Sequence, residues 1–130
     1  MLKKSMPALL VLLLTCGCLW PAKLTAAEKK TDLPVIAVLL YSNHFLETLE
    51  GFKAGLRERG YIEGENISYL FKGPTKRIEA LDVAMDHLLA GQPDLIFAVT
   101  TPAACAAKRA TRANNIPVVF APVNDPIAAG

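Results

Sequence analysis

Two threonines and a proline stand where an apolar run gives way to a run of small residues. In the segment AVTTPAACAA (98–107), the apolar run ends at Val99 and the alanines begin after Pro102. Proline suits the first turn of a helix, so the pattern predicts a strand that passes into a helix, with Thr101 as the N-cap. A helix N-terminus presents N–H groups and a positive dipole end to an anion. Thr100 and Thr101 are therefore candidates to bind a ligand carboxylate, although capping alone would also explain a threonine here.

Polar residues also follow two other apolar runs. Asp125 lies in the sequence NDP (124–126), and Ser42 and Asn43 follow the run that ends at Leu40. An aspartate before proline often bonds its own backbone in a turn. It could instead receive the ammonium group of a ligand whose carboxylate is held by the threonines, so the set could recognise an amino acid or a similar zwitterion. Both interpretations of Asp125 remain open.

A catalytic alternative rests on Cys105 and His44. Cys105 falls near the start of the predicted helix, where a thiol pKa can fall, and His44 could act as a base in a small secreted enzyme. The sequence offers no third group to orient that pair. It also contains no Gly-rich phosphate loop, no metal-ligand spacing and no G-x-S-x-G motif, so we expect neither a cofactor nor a metal.

The first 27 residues have the pattern of an export signal. Lys3 and Lys4 precede an apolar run from Ala8 to about Trp20, which is shorter than the roughly 20 residues that span a bilayer. The small residues before Glu28 favour cleavage after Ala27, whereas a lipoprotein signal would attach a lipid anchor at Cys18. Either route predicts an exported protein, periplasmic or attached to the outer side of the cytoplasmic membrane. Basic and acidic residues nearly balance after residue 27, which argues against a nucleic-acid partner.

The apolar periodicity predicts an α/β fold. Continuous apolar runs of branched residues predict strands at 34–40, 66–72, 94–99 and 116–121. Between them, apolar residues at spacings of three and four predict helices, with one stripe formed by Phe45, Leu49, Phe52 and Leu56 and another by Ile78, Leu81, Met85 and Leu88. A third helix is predicted at 102–113. Alternating strands and helices predict a three-layer parallel sheet with helices on both faces, whose strand-end loops meet at one ligand-binding edge.

Three segments resemble the ABC transporter substrate-binding proteins related to tryptophan-binding proteins: EGFKAGLRERGYIEGENI (50–67), PDLIFAVTTPAACAA (93–107) and IPVVFAPVNDPIAAG (116–130). Ala128 departs from the glycine that is frequent after Asp-Pro in that family. The resemblance implies a type I periplasmic-binding fold, of which residues 34–130 form most of the amino-terminal lobe after a signal (1–27) and a linker (28–33). It also implies that the chain binds a small solute, delivers it to a membrane permease, and has Ser42, Asn43, Thr100, Thr101 and Asp125 in ligand-facing loops. The family's second lobe is absent from these 130 residues, so a non-functional truncated lobe is a further alternative.

Overall fold

The computed structural model describes residues 33–127, which form alternating strands and helices. The strands are β1 (Val35–Leu40), β2 (Ser68–Leu70), β3 (Leu95–Val99) and β4 (Val118–Phe120). The helices are α1 (Leu46–Glu58), α2 (Leu81–Leu89) and α3 (Thr101–Thr111). Short 3-10 turns at Asn43–Phe45 and Ile78–Ala80 lead into α1 and α2.

The strands form one sheet in the order β2-β1-β3-β4, and every neighbouring pair is parallel. The chain moves outward from β1 to β2, crosses back over β1 to β3, and continues to β4. Because parallel strands need crossover connections, each helix packs back onto the sheet between two strands. The predicted fold class is confirmed.

Each face of the sheet has its own apolar core. On one face Val38, Leu40 and Phe97 pack with Leu49 of α1. On the other face Leu39 and Ile96 belong to a cluster with buried residues of α2 and α3. The central strands β1 and β3 are therefore buried on both sides, which explains why their sequences are continuously apolar rather than alternating.

Several elements are shorter than predicted, for local reasons. β2 ends at Leu70 rather than residue 72, before Gly73, whose φ of 86° lies in the left-handed region, and Pro74, which has no N–H to donate. α2 begins later than predicted because Lys76 has a φ of 65° and Arg77 is extended. Ile78 was predicted to lie on the buried stripe of this helix, but it lies in the 3-10 turn and is 51% exposed.

The predicted signal, its cleavage after Ala27, lipid attachment at Cys18 and the linker up to residue 32 lie outside the described residues. Within residues 33–127, none of the helices has the length and apolar content needed to cross a membrane.

Candidate functional site

The polar loops that were predicted to form a site lie at one edge of the sheet. Since all strands are parallel, the loops that follow β1, β2, β3 and β4 all leave from their carboxyl ends. Backbone hydrogen bonds join neighbouring loops: the Lys76 N–H donates to the Tyr41 carbonyl at 2.8 Å, and the Thr100 N–H donates to the Ala121 carbonyl at 3.3 Å. The edge is therefore a connected surface and not a set of separate turns.

The loop after β1 is a capped turn. The Ser42 backbone is extended, with φ −129° and ψ 141°, and its hydroxyl accepts a hydrogen bond from the His44 N–H at 3.4 Å. The same hydroxyl lies 3.2 Å from His44 Nδ1. Asn43, the first residue of the turn, is exposed. Ser42 therefore has a structural role that the sequence did not reveal, and Asn43 presents its side chain at the edge.

Helix α3 starts one residue earlier than predicted. Thr101 is its first residue, Thr100 is the N-cap, and no side chain caps the helix. The prediction that Thr101 caps the helix was therefore wrong. Pro102 has no N–H and the Ala104 N–H donates to the Thr100 carbonyl at 3.0 Å, so the N–H groups of Thr101 and Ala103 are the other donors of the first turn. Thr101 is half buried, whereas Ala103 is fully buried.

Thr100 is held in an unfavourable conformation. Its φ of 87° and ψ of 160° fall in a region that is essentially restricted to glycine and costs about 1–3 kcal/mol for other residues. The side chain is only 7% exposed, and Oγ1 is the one buried side-chain oxygen or nitrogen without a hydrogen-bond partner among the described residues. A buried unsatisfied hydroxyl adds a further cost. Strain of this kind is concentrated at functional sites, so Thr100 is the most informative residue of the edge.

Asp125 lies in an exposed turn after β4. Its Oδ1 accepts a hydrogen bond from the Ile127 N–H at 3.0 Å, which is the local turn bond that the sequence Asp-Pro favours. The turn interpretation of Asp125 is thus present in the structure.

The residues of the catalytic alternative lie on different elements. His44 lies in the turn after β1, beside the Ser42 hydroxyl, and Cys105 lies half buried in α3. Among residues 33–127, no group of three or more His, Cys, Asp or Glu side chains is placed to hold a metal ion.

The loop between β2 and α2 is one of the strand-end loops at this edge, and its residues were not among the predicted site residues. The Thr75 N–H donates to the Leu40 carbonyl at 3.0 Å, and the Thr75 hydroxyl donates to the Arg77 carbonyl at 2.9 Å. These bonds hold the left-handed Lys76 against the end of β1. The only sequence signal was the pair Gly73-Pro74, which predicts a turn but not its attachment to the neighbouring strand.

A separate polar cluster lies away from this edge, between α1 and β2. Lys53 Nζ is 3.0 Å from Glu63 Oε2 and 4.5 Å from the centre of the Tyr69 ring. Burial, and to a smaller extent the charge of Glu63, raises the pKa of the Tyr69 phenol above its usual value. The cluster links α1 to the segment that leads into β2, and we assign it a structural role.

Two hollows of residues 33–127 lie near the sheet, and neither is lined by the predicted site residues. A cavity of about 180 Å³ lies beside the end of β1 and is lined in part by Lys72, Thr75 and His87. A groove of about 230 Å³ lies between α3 and β4 and is lined in part by Val118 and Phe120.

The family model of the ABC transporter substrate-binding proteins matches residues 35–130. The chain belongs to this family. The match covers all four strands and all three helices, as well as the four loops at the carboxyl edge.

Individual members of the family have similar sequences and similar folds. A tyrosine-binding protein from Clostridioides difficile is 33% identical over 81 residues, which are 62% of this chain and 23% of that protein. A substrate-binding protein with adhesive properties from Clostridium difficile, in its ligand-free, open structure, is 32% identical with a TM-score of 0.65. An ABC domain from Streptococcus pneumonia in complex with L-Trp is 29% identical with a TM-score of 0.66.

The chain is short in relation to these relatives. Each of the two structural comparisons covers 75% of this chain but only 33% of the other protein. The chain therefore spans between about a quarter and a third of the length of the relatives that it matches.

Proposed function

We propose that this chain forms one wall of the solute site of an ABC import system and that the start of α3 binds the carboxylate of an amino acid or a related solute. The observation that carries the proposal is the uncapped start of α3 at the carboxyl edge, where Thr101 is half exposed and keeps its N–H as a donor. The positive end of the helix dipole favours an anion there by at most about 2 kcal/mol. This contribution orients a ligand, and the remaining affinity must come from other contacts.

Other residues of the edge complete the proposed contacts. The Thr101 hydroxyl belongs to the first residue of the helix and would bind a second carboxylate oxygen. Thr100 acts through its backbone, which orients the first turn of the helix. Asp125 would receive the ligand ammonium group, and Ser42 and Asn43 would line the side of the site nearest β1. An amino acid carries both charges, which suits this combination.

The names of two relatives support an amino acid as the solute. One is a tyrosine-binding protein and another was solved with L-Trp. We therefore propose aromatic amino acids as the first compounds to test. Delivery to a membrane permease, export through the amino-terminal segment, and a periplasmic or membrane-attached location follow from the same proposal. We propose binding and not catalysis as the role, so Cys105→Ala should leave ligand binding unchanged.

The experiment that tests this function must detect weak binding. A micromolar ligand needs about 8 kcal/mol, and if half of the contacts come from a second wall, about 4 kcal/mol remains, which corresponds to a millimolar Kd. Since the entropy cost of association is not halved, the affinity of this wall alone should be no better than millimolar. Two-dimensional ¹H–¹⁵N NMR titration of the chain with L-Trp, L-Phe and other amino acids detects binding in that range.

We expect amide shift changes confined to the edge, centred on residues 100–104. Thr101→Val removes the hydroxyl while keeping the shape of the side chain, and it should weaken binding about tenfold or more, as for the loss of one hydrogen bond to a charged group. Thr48→Val, on α1, is the matched control and should have no effect. Shift changes elsewhere, or none with any amino acid at tens of millimolar, would contradict the proposal.

A further inference from the structure

An aromatic pair lies at the end of β1, beside the proposed solute site. The rings of Tyr41 and Phe45 have centroids 6.1 Å apart and planes inclined by 46°, an arrangement typical of favourable aromatic contacts. Both side chains are half buried, so part of each remains accessible to a ligand. We propose that this pair contacts the side chain of the solute and makes the site selective for aromatic over aliphatic amino acids. The proposal rests on the proposed function, in which α3 holds the carboxylate of the same solute.

The two aromatic side chains come from opposite faces of the sheet. Tyr41 packs against the apolar cluster that the sheet shares with α2 and α3, whereas Phe45 packs against the cluster on the α1 face. Tyr41 directly follows Leu40, the last residue of β1. Because the sheet separates the two clusters, rings from both sides can meet only where a strand has ended. The pair therefore lies at the carboxyl edge, between the two cores and not inside either of them.

Strand pairing brings the aromatic pair next to the start of α3. Leu40 and Val99 are partners in the register of β1 and β3, so the residues that follow them, Tyr41 and Thr100, leave the sheet side by side. Neighbouring strands lie about 4.8 Å apart. The ring of an aromatic amino acid lies at a comparable distance from its own carboxylate. A solute held by its carboxylate at Thr101 can therefore place its ring over the end of β1.

Hydrogen bonds fix the backbone at both aromatic residues. The Tyr41 carbonyl accepts the Lys76 N–H at 2.8 Å, and the Phe45 N–H donates to the Ser42 carbonyl at 3.2 Å. Each ring is also packed on its own core, which restricts its rotation. The pair is therefore formed in the ligand-free chain, so its ordering does not have to be driven by the free energy of binding.

Contact between rings distinguishes aromatic from aliphatic side chains. An aromatic pair is favoured beyond the burial of apolar area, and the difference corresponds to about 2- to 12-fold in affinity. An aliphatic side chain of similar size is buried in the same way but lacks this contribution. We therefore expect the unchanged chain to bind L-Trp and L-Phe more tightly than L-Leu, by about this factor or more.

Phe45→Leu tests the pair because it removes one ring and keeps most of the apolar area. In ¹H–¹⁵N NMR titrations this variant should bind L-Trp about 2- to 12-fold more weakly and L-Leu as tightly as the unchanged chain does. Tyr41→Phe keeps both rings and should keep the preference for L-Trp. Tyr61→Leu, which removes an exposed ring from the loop between α1 and β2, is the matched control and should change neither affinity. Equal losses for L-Trp and L-Leu in Phe45→Leu, or no loss, would overturn the proposal.

Indole provides a second test, which does not depend on a carboxylate. It has the ring of tryptophan without either charge, so its binding does not require the start of α3. We expect nuclear Overhauser effects between indole protons and the ring protons of Tyr41 and Phe45. Indole contacts confined to other surfaces, or none, would overturn the proposal.

The two tests separate this proposal from the proposed function. Indole at the aromatic pair without binding of any amino acid would support the aromatic contact and contradict the proposed function. Amino acids that bind at the edge with equal affinities for L-Trp and L-Leu would overturn the selectivity and leave the proposed function in place.

Discussion

Asn66 shows how a single exposed side chain can determine the course of a loop. Its Oδ1 accepts the Ile62 N–H and its Nδ2 donates to the Gly60 carbonyl, both at 2.7 Å. Both polar groups of the side chain are therefore used to close the turn between α1 and β2. Thr100 is the opposite case, since its hydroxyl is buried and satisfies no partner. Asn66 therefore stabilises the fold, whereas the buried hydroxyl of Thr100 lowers the stability because it lacks a hydrogen-bond partner.

Replacement of Asn66 by alanine should destabilise the chain by about 1–2 kcal/mol, because two hydrogen bonds of ordinary strength are lost. Urea unfolding followed by circular dichroism measures the change. Asn114→Ala is the matched control, since the Asn114 Oδ1 lies 3.5 Å from the Ile116 N–H and contributes little. Equal effects of the two substitutions would show that the Asn66 bonds do not hold the loop.

At the scale of the elements, aromatic stacking links α1 to the centre of the sheet. The rings of Phe52 on α1 and Phe97 on β3 are stacked, with centroids 3.9 Å apart and planes inclined by 7°. Phe97 is fully buried and Phe52 is half buried. The orientation of α1 bears on the site because the turn Asn43–Phe45 connects it directly to the end of β1.

Phe52→Ala should lower the free energy of unfolding by about 2–4 kcal/mol, at or somewhat below the usual cost for a core phenylalanine because the ring is only half buried. Phe52→Leu should cost less than half as much, since most of the apolar contact is kept. Denaturant unfolding measures both changes in the free energy of unfolding, provided that the m-value is the same for each variant. Val83→Ala, at an exposed position of α2, should change stability by less than about 0.5 kcal/mol. An alanine variant at position 52 as stable as the control would contradict the packing described.

At the scale of the whole described sheet, the outer strand β4 presents apolar side chains to solvent. β4 is an edge strand whose Val119 and Phe120 are 43% and 45% exposed, and Ile127 close by is 90% exposed. A groove lined by apolar residues lies on the same side, between α3 and β4. Strands of parallel sheets are normally covered, and an exposed apolar edge favours association with another chain.

We therefore expect the chain to self-associate at high concentration, and Val119→Lys to reduce that association. A lysine on an edge strand opposes pairing with a second chain through its charge. Sedimentation velocity over a range of concentrations measures the effect. Val83→Lys introduces the same charge at an exposed position of α2 and is the control. If the two variants associate to the same degree, the β4 edge is not the contact.

The positions of the strands and of the edge were predictable because they depend on local patterns. Runs such as VIAVLL and LIFAV can only be buried on both faces, and four of them separated by helical stripes imply parallel strands. Once the strands are parallel, Ser42, Thr100 and Asp125 must fall at the same edge. The helix starts were less predictable. Lys76 and Thr100 have left-handed backbones that no local preference of lysine or threonine would indicate, and these displaced the starts of α2 and α3.

The sequence by itself determined the fold class, the order of elements along the chain, the candidate edge and the family resemblance. These properties rest on periodicity and on residue types that act within a few positions of one another. Only the tertiary structure decided the strand order β2-β1-β3-β4, the local bonds made by Ser42 and Asp125, and the strained geometry of Thr100. The physical reason is that each of these depends on bonds between distant segments or on backbone angles. The bond from Thr100 to Ala121 joins two loops that come together only when β3 pairs with β4.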